Sequence, residues 1–280
     1  MSSNPKSKQS HPGSSILKAL VMISAGLTFA VLIFLIAFII IKGVGYLKPS
    51  LFSFTYNSDN VSLFPAAVNT VIMTVLTLLI AVPIGVFAAI FLVEYSGKGS
   101  PVVKVIRMTA ETLSGIPSIV YGLFGMMFFA TTLKWGLSIL SGSFTMVIMI
   151  LPLIMRTTEE ALKAVPDTYR EASFGLGAGK LRTIFRIVLP AAVPGILAGV
   201  ILATGRIVGE TAALMFTAGT VAQIPSSLFG SGRTLAVHMY ALSNEGLHMN
   251  EAYATAVVLL VIVLLINGLS NRIAHKFVKA

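Results

Sequence analysis

Arg156–Pro190 reads RTTEEALKAVPDTYREASFGLGAGKLRTIFRIVLP, a charged stretch set between two long apolar runs. A first helical piece over Thr157–Ala164 is expected to stop before Pro166, because a residue preceding proline is pushed out of the helical region. Asp167 or Thr168 can then cap a short helix through Phe174 by accepting from its free amides. Gly175, Gly177 and Gly179 let the chain reverse. Beyond them Leu181, Ile184, Phe185 and Val188 recur at helical spacing, with Lys180, Arg182 and Arg186 at other positions. This predicts an amphipathic helix that runs through Ile187 and Leu189 into Pro190 and the next apolar run. The stretch is therefore a long polar loop with two helical arms around a glycine hinge.

What surrounds the loop decides the class. Of 280 residues, 56% are hydrophobic and 11% charged, with a mean hydropathy of +0.91. The charged share is about half that of an ordinary soluble domain, so the apolar surface must face lipid. Runs of bilayer length lie near Ala19–Ile41, Ala66–Val93, Ser114–Leu133, Gly136–Met155, Pro190–Val208 and Tyr253–Leu269. The first is too long for a signal-peptide core and has no small-residue cleavage site after it, so it reads as an uncleaved span. Thr211–Ile224 is apolar but short, either re-entrant or the end of a broken helix. The expected organisation is a disordered tail at 1–15, a first transmembrane helix and outer loop at 16–63, and a membrane domain at 64–275. A short tail follows at 276–280. The fold class is all-α, a polytopic membrane protein of about six transmembrane helices.

Charge orients these spans. With the N-terminus inside, the inner segments hold fifteen Lys and Arg and the outer ones five, the latter being Lys42, Lys48, Lys134, Arg206 and Arg233. Acidic residues divide six to four, as expected where basic residues alone set topology. Both termini and the 156–190 loop fall on the cytoplasmic side. The formal charge of +10 thereby has a membrane explanation, and nucleic-acid binding is not expected. Absence of cysteine excludes disulfides and thiolate metal sites.

Several chemistries fail on spacing. A phosphate-binding loop needs G-x-x-x-x-G-K-[ST]. Aligning Gly179-Lys180 puts Phe174 at the first glycine and Leu181 at the hydroxyl position, so no ATP site is expected in this chain. His238 and His248 lack metal-ligand spacing, and no nucleophile–base pair is evident. Arg206 and Glu210 are four apart, which on a helix would place them on one face as a pair. An ionisable residue beside a span usually faces the bundle interior or a wet path. Arg206 suits a way-station for an oxyanion, Glu210 could neutralise it when empty, and Thr211 adds a hydroxyl. The plain alternative is a structural ion pair at the outer interface.

Glu171-Ala172-Ser173, Gly177, Ile187, Leu189 and Pro190 stand at the spacings of the EAA signature, E-A-A, three residues, G, nine residues, I-x-L-P, with Ser173 in place of the second alanine. The chain thus resembles the permeases of binding-protein-dependent ATP-binding-cassette importers. The segments Glu111–Gly125 and Gly205–Leu214, with Asn69-Thr70 and Val93-Glu94-Tyr95, further resemble the phosphate-importer permeases of the PstA type. The resemblance covers roughly residues 64–269. It implies a type I importer permease (MetI-like) fold and coupling helices in the 156–190 loop, with small Ser173 allowing close approach to a partner. It also implies a sister permease, an ATPase dimer that binds the ATP and magnesium, and an extracytoplasmic phosphate-binding protein. A regulatory link to a sensor kinase and a bacterial or archaeal inner-membrane location belong to the same set. The alternatives are a permease for phosphonate, sulfate or molybdate, or an ion-coupled secondary transporter, in which the EAA-like loop would have no task.

Overall fold

The computed structural model describes residues 12–96 and 100–278, with side chains described for 16–96, 100–269 and 272. Among the described residues the chain is helical, without strands. Helix α1 (Pro12–Gly43) is apolar and lies outside the bundle, with Leu20, Met22, Phe29 and Ile33 all more than half exposed. It meets the rest near its C-terminal end, where Phe38 packs edge-on to Tyr253 and Gly43 presses on the Tyr253 carbonyl. The helix begins inside the 1–15 stretch expected to be disordered. A proline at the first turn loses no hydrogen bond there, so Pro12 opens the helix rather than preventing it. Residues 1–11 of that expected tail, and 279–280 of the C-terminal one, lie outside the described residues.

Helix α2 (Phe64–Ile90) has Pro65 in its first turn and continues as a π-helical turn over Phe91–Tyr95. The expected third span, Ser114–Leu133, begins at a sharp bend and is helical over Ser118–Thr132. Helix α3 (Pro101–Ser114) and α4 (Ser118–Gly125) meet at a bend of 100°, because Pro117 cannot donate and drives Ile116 out of the helix. A wide π-helical turn, Met126–Thr132, extends α4. Helix α5 (Ile139–Ala164) is capped by Ser138, whose hydroxyl accepts from the Ser141 amide. Nothing breaks it between Met155 and Ala164. The Thr157–Ala164 piece expected as a separate loop helix is therefore the last two turns of this span, and Pro166 is what stops it.

Helices α6 (Asp167–Gly175) and α7 (Lys180–Thr183) form an elbow. A π-helical turn, Ile184–Val188, then leads without a break into α8 (Leu189–Gly209). The chain leaves the helix at Glu210 and Thr211 and turns helical again as α9 (Ala212–Thr217), so only the first part of the short apolar segment Thr211–Ile224 is helical. Helix α10 (Leu235–Glu245) and α11 (Met249–Val278) complete the order. Among the described residues five helices are long and apolar enough to cross a membrane, six if the bent α3–α4 pair counts as one span.

Helix α5 is the axis. Two-thirds of its apolar window is buried, against a third or less for the other candidate spans. Its residues Met146, Met149, Ile150 and Ile154 form the main core with Met73 and Ala81 of α2 and Ala203 and Ile207 of α8. Small residues set the spacing, as expected where no water drives helices together. A Cβ at Gly195 would stand 2.6 Å from the Ala161 Cβ, and one at Gly199 would overlap the Thr157 side chain.

Candidate functional site

The elbow sits where α2 ends, α5 ends and α8 begins. Helix α6 lacks the side-chain cap expected from Asp167 or Thr168. Helical geometry starts at Asp167 itself, directly after Pro166, so this carboxylate is already in the first turn. It faces Arg170 at 3.2 Å instead. Of the three hinge glycines only Gly177 has a left-handed backbone, φ +81°, and it carries the reversal.

Ser173 is buried, and its hydroxyl lies 2.8 Å from that of Thr183. The small residue expected to allow approach by a partner instead closes the elbow from within. Glu171, Ala172, Gly177 and Pro190 are exposed, Leu189 is half-buried, and Ile187 is 37% exposed. The amphipathic pattern also divides. Ile184 and Val188 are buried, whereas Leu181 and Phe185 point away with Tyr169, Phe174 and Leu176. Leu176 is 90% exposed. Among the described residues these five large apolar side chains of a polar elbow are left uncovered, and exposed apolar surface of this kind is typical of interaction sites.

Arg170 anchors the elbow, and no local pattern in the sequence singled it out. Its side chain is 14% exposed and reaches Glu94, which is 76 residues away, through Nη2 at 2.7 Å and Nε at 3.1 Å. It also donates to the carbonyls of Leu162 at 3.0 Å and Val165 at 2.9 Å. Beside it Lys180 lies 4.8 Å from the centre of the Tyr95 ring. A second ionic cluster joins α3 to α5: Glu159 holds Arg107 and Lys163, each at 2.6 Å, and Arg156 stands 3.5 Å from both Glu111 and Glu160. These groups line a cleft of about 200 Å³.

The Arg206–Glu210 pair does not form. Helix α8 ends at Gly209, and Glu210 is extended, with φ −72° and ψ 131°, so the one-turn spacing that would align the two is lost. Glu210 instead accepts from the Ala213 amide at 3.0 Å and caps α9. Nor is Arg206 at the outer end of the bundle. It is exposed in a groove of about 670 Å³ with Leu153, near the middle of α5, and Asn267. Thr211 lines a different, apolar groove of about 640 Å³ beside Ile119, Tyr240 and Tyr253. The three candidate path residues are thus separated, and of the three only Arg206 lines the groove beside Leu153.

At the end of the bundle away from the elbow, the loop after α9 is pinned to α2. The Asn69 amide donates to the Gln223 and Arg233 carbonyls, and Thr70 accepts from the Leu235 amide. His238, outside the membrane-spanning helices, is fully buried there as a packing residue. Burial, reinforced by the Arg233 guanidinium, lowers its pKa from 6.5 to about 3. The Val61 backbone opposes the shift without making a well-aligned hydrogen bond. Among the described residues no group of three His, Cys, Asp or Glu could hold a metal.

The chain is similar to known proteins in sequence and in fold. The chain is 35% identical over 243 residues to the "Probable ABC transporter permease protein YqgI" of Bacillus subtilis (strain 168), covering 80% of this chain and 81% of that one. It is 37% identical over 207 residues to the phosphate transport system permease protein PstA of Mycobacterium leprae, covering 73% and 67%. Its fold matches a chain of a bacterial ABC transporter involved in the import of the acidic polysaccharide alginate, with a TM-score of 0.67 at 17% identity over 94% of this chain and 98% of that one. It also matches a chain of the inward-facing MetNI methionine ABC transporter, with a TM-score of 0.59 at 19% identity over 77% and 94%. The model of the family described as "Binding-protein-dependent transport system inner membrane component" matches residues 81–279. That range takes in the elbow, the axial helix α5 and the broken helix α8–α9, so the chain belongs to the family of binding-protein-dependent inner-membrane transport components.

Proposed function

We propose that this chain is one of two permease subunits of an ATP-driven importer of inorganic phosphate. The observation that carries the reading is the elbow: an exposed apolar surface fastened by ion pairs and hydroxyls to the ends of three spans. A surface held that rigidly transmits force. We assign its outward side chains, with Glu171, Ala172, Gly177, Ile187, Leu189 and Pro190, to contact with an ATPase dimer that alone binds ATP and magnesium. Residues 156–190 and both termini then face the cytoplasm. ATP binding closes the dimer, shifts the elbow as a body and tilts α2, α5 and α8 to open the path outward. A binding protein delivers phosphate there, and hydrolysis resets the path.

The cargo is supported by relatives that are phosphate permeases and by Arg206. An exposed guanidinium at mid-depth cannot face lipid without a large penalty, so its groove is closed by the sister permease as part of a wet path. Its planar donors match two oxygens of phosphate. Because Glu210 is occupied in capping α9, Arg206 keeps its full charge toward the path.

The test is uptake of radiolabelled inorganic phosphate into proteoliposomes holding this chain, its sister permease, the ATPase and the binding protein. Uptake is expected to need ATP and to resist excess sulfate or molybdate. Equal competition by either anion would falsify the cargo while leaving the importer class intact.

A further inference from the structure

Helix α6 packs on α7 and on the π-helical turn that starts the α8 span. Its hydrogen-bonded attachment to the other two spans runs through Arg170, beside the contact of Lys180 with the Tyr95 ring. Arg170 spends its donors on three elements at once: the Glu94 carboxylate at the end of α2, the Leu162 and Val165 carbonyls at the end of α5, and Asp167 on α6 itself. The two carbonyls are significant. Helix α5 stops before Pro166, so its last carbonyls have no amide partner, and a cation at a helix C-terminus is favoured by the helix dipole as well. A guanidinium fits this site because its donors are fixed in a planar fork, whereas an ammonium is a point charge on a flexible stem. The Arg170 and Glu94 side chains are only 14% and 9% exposed, so the pair is shielded from salt in a way surface pairs are not.

We infer that Arg170 is the contact through which displacement of the elbow reaches α2 and α5, acting through Glu94 and the end of α5 rather than on the cargo. This rests on the reading of the elbow as the ATPase-docking surface. Ser173 and Thr183 link α6 to the α8 side. The elbow without Arg170 would still dock and still move α8, but α2 and α5 would lag. Transport and hydrolysis would then separate, which is a different outcome from loss of folding.

The complete importer, reconstituted with its binding protein, tests this by the ratio of phosphate taken up to ATP hydrolysed. Arg170→Lys keeps the charge and loses the fork. It is expected to copurify with the ATPase at the wild-type ratio and to lower phosphate per ATP about fivefold or more, the scale of a typical coupling between sites. Glu94→Gln keeps the shape and both carbonyl contacts, and is expected to lower the ratio by less. Wild-type coupling in Arg170→Lys overturns the inference. So does failure of both variants to assemble, which would make the residue architectural. If the wild-type complex itself shows no ATP-driven phosphate uptake, the functional reading fails first and the inference falls with it.

Discussion

On the proposed reading Arg206 is a lone cation in the path that must bind an anion yet let it go, and its surroundings suit both demands. It stands in a groove with Asn267 and apolar neighbours, without a carboxylate within ion-pairing distance among the described residues. Arg206→Gln keeps hydrogen-bond donors and removes the charge. Phosphate uptake is expected to fall at least about tenfold, the effect of one lost charge-assisted contact, with assembly unchanged; normal uptake would remove Arg206 from the path. His238 carries a separate prediction. Its folded pKa of about 3 lies below the ordinary 6.5, so its contribution to stability is full above pH 6.5 and is lost as pH falls toward 3. The slope is at most about 1.4 kcal/mol per pH unit. In thermal melts of the detergent-purified protein, His238→Leu is expected to flatten this acid-side decline relative to wild type. An unchanged acid-side slope would show that other groups cause it.

The same logic of close contact holds the helices together. Helix α8 crosses α5 where Gly195 meets Ala161 and Gly199 meets Thr157, and a side chain at either glycine must push the two helices apart. Gly199→Val is expected to destabilise the protein by about 1–3 kcal/mol, whereas Gly205→Ala, with no atom within 4 Å of its added Cβ, should leave the melting temperature near wild type. Equal melting of the two variants would remove the crossing from the packing account. Most of these elements were legible in the sequence because their signals are local: apolar length for the spans, and Pro166 and Gly177 for the elbow. The failures were also local rules overruled by neighbours. Thr157–Ala164 looked like loop because Arg156 and two glutamates interrupt the hydropathy, yet Arg107 and Lys163 neutralise Glu159 against α3 and the helix runs on. The Arg206–Glu210 pair assumed a helix that ends one residue too early. Arg170 was invisible for the opposite reason, since its partner Glu94 lies on another span and only the fold brings them together.

At the scale of the whole chain, the charge asymmetry predicts an orientation. Placing Arg206 within the bundle leaves four of the five outward basic residues outside, so the asymmetry that predicts a cytoplasmic elbow grows stronger. The chain contains no cysteine, so single thiols can be introduced with no background to remove. Leu176 at the elbow is 90% exposed and Leu247, in the turn between α10 and α11, is 83% exposed, so both accept a reactive side chain without disturbing the core. A membrane-impermeant maleimide applied to cells stripped of any outer barrier is expected to label Leu247→Cys directly and Leu176→Cys only after the membrane is opened. Once the ATPase is bound, labelling of Leu176→Cys should fall sharply while that of Leu247→Cys stays constant, because docking removes the elbow from solvent. Labelling of Leu176→Cys in sealed cells would invert the topology. Unchanged labelling in the presence of the ATPase would leave the topology standing and remove Leu176 from the contact, which separates the two claims in one experiment.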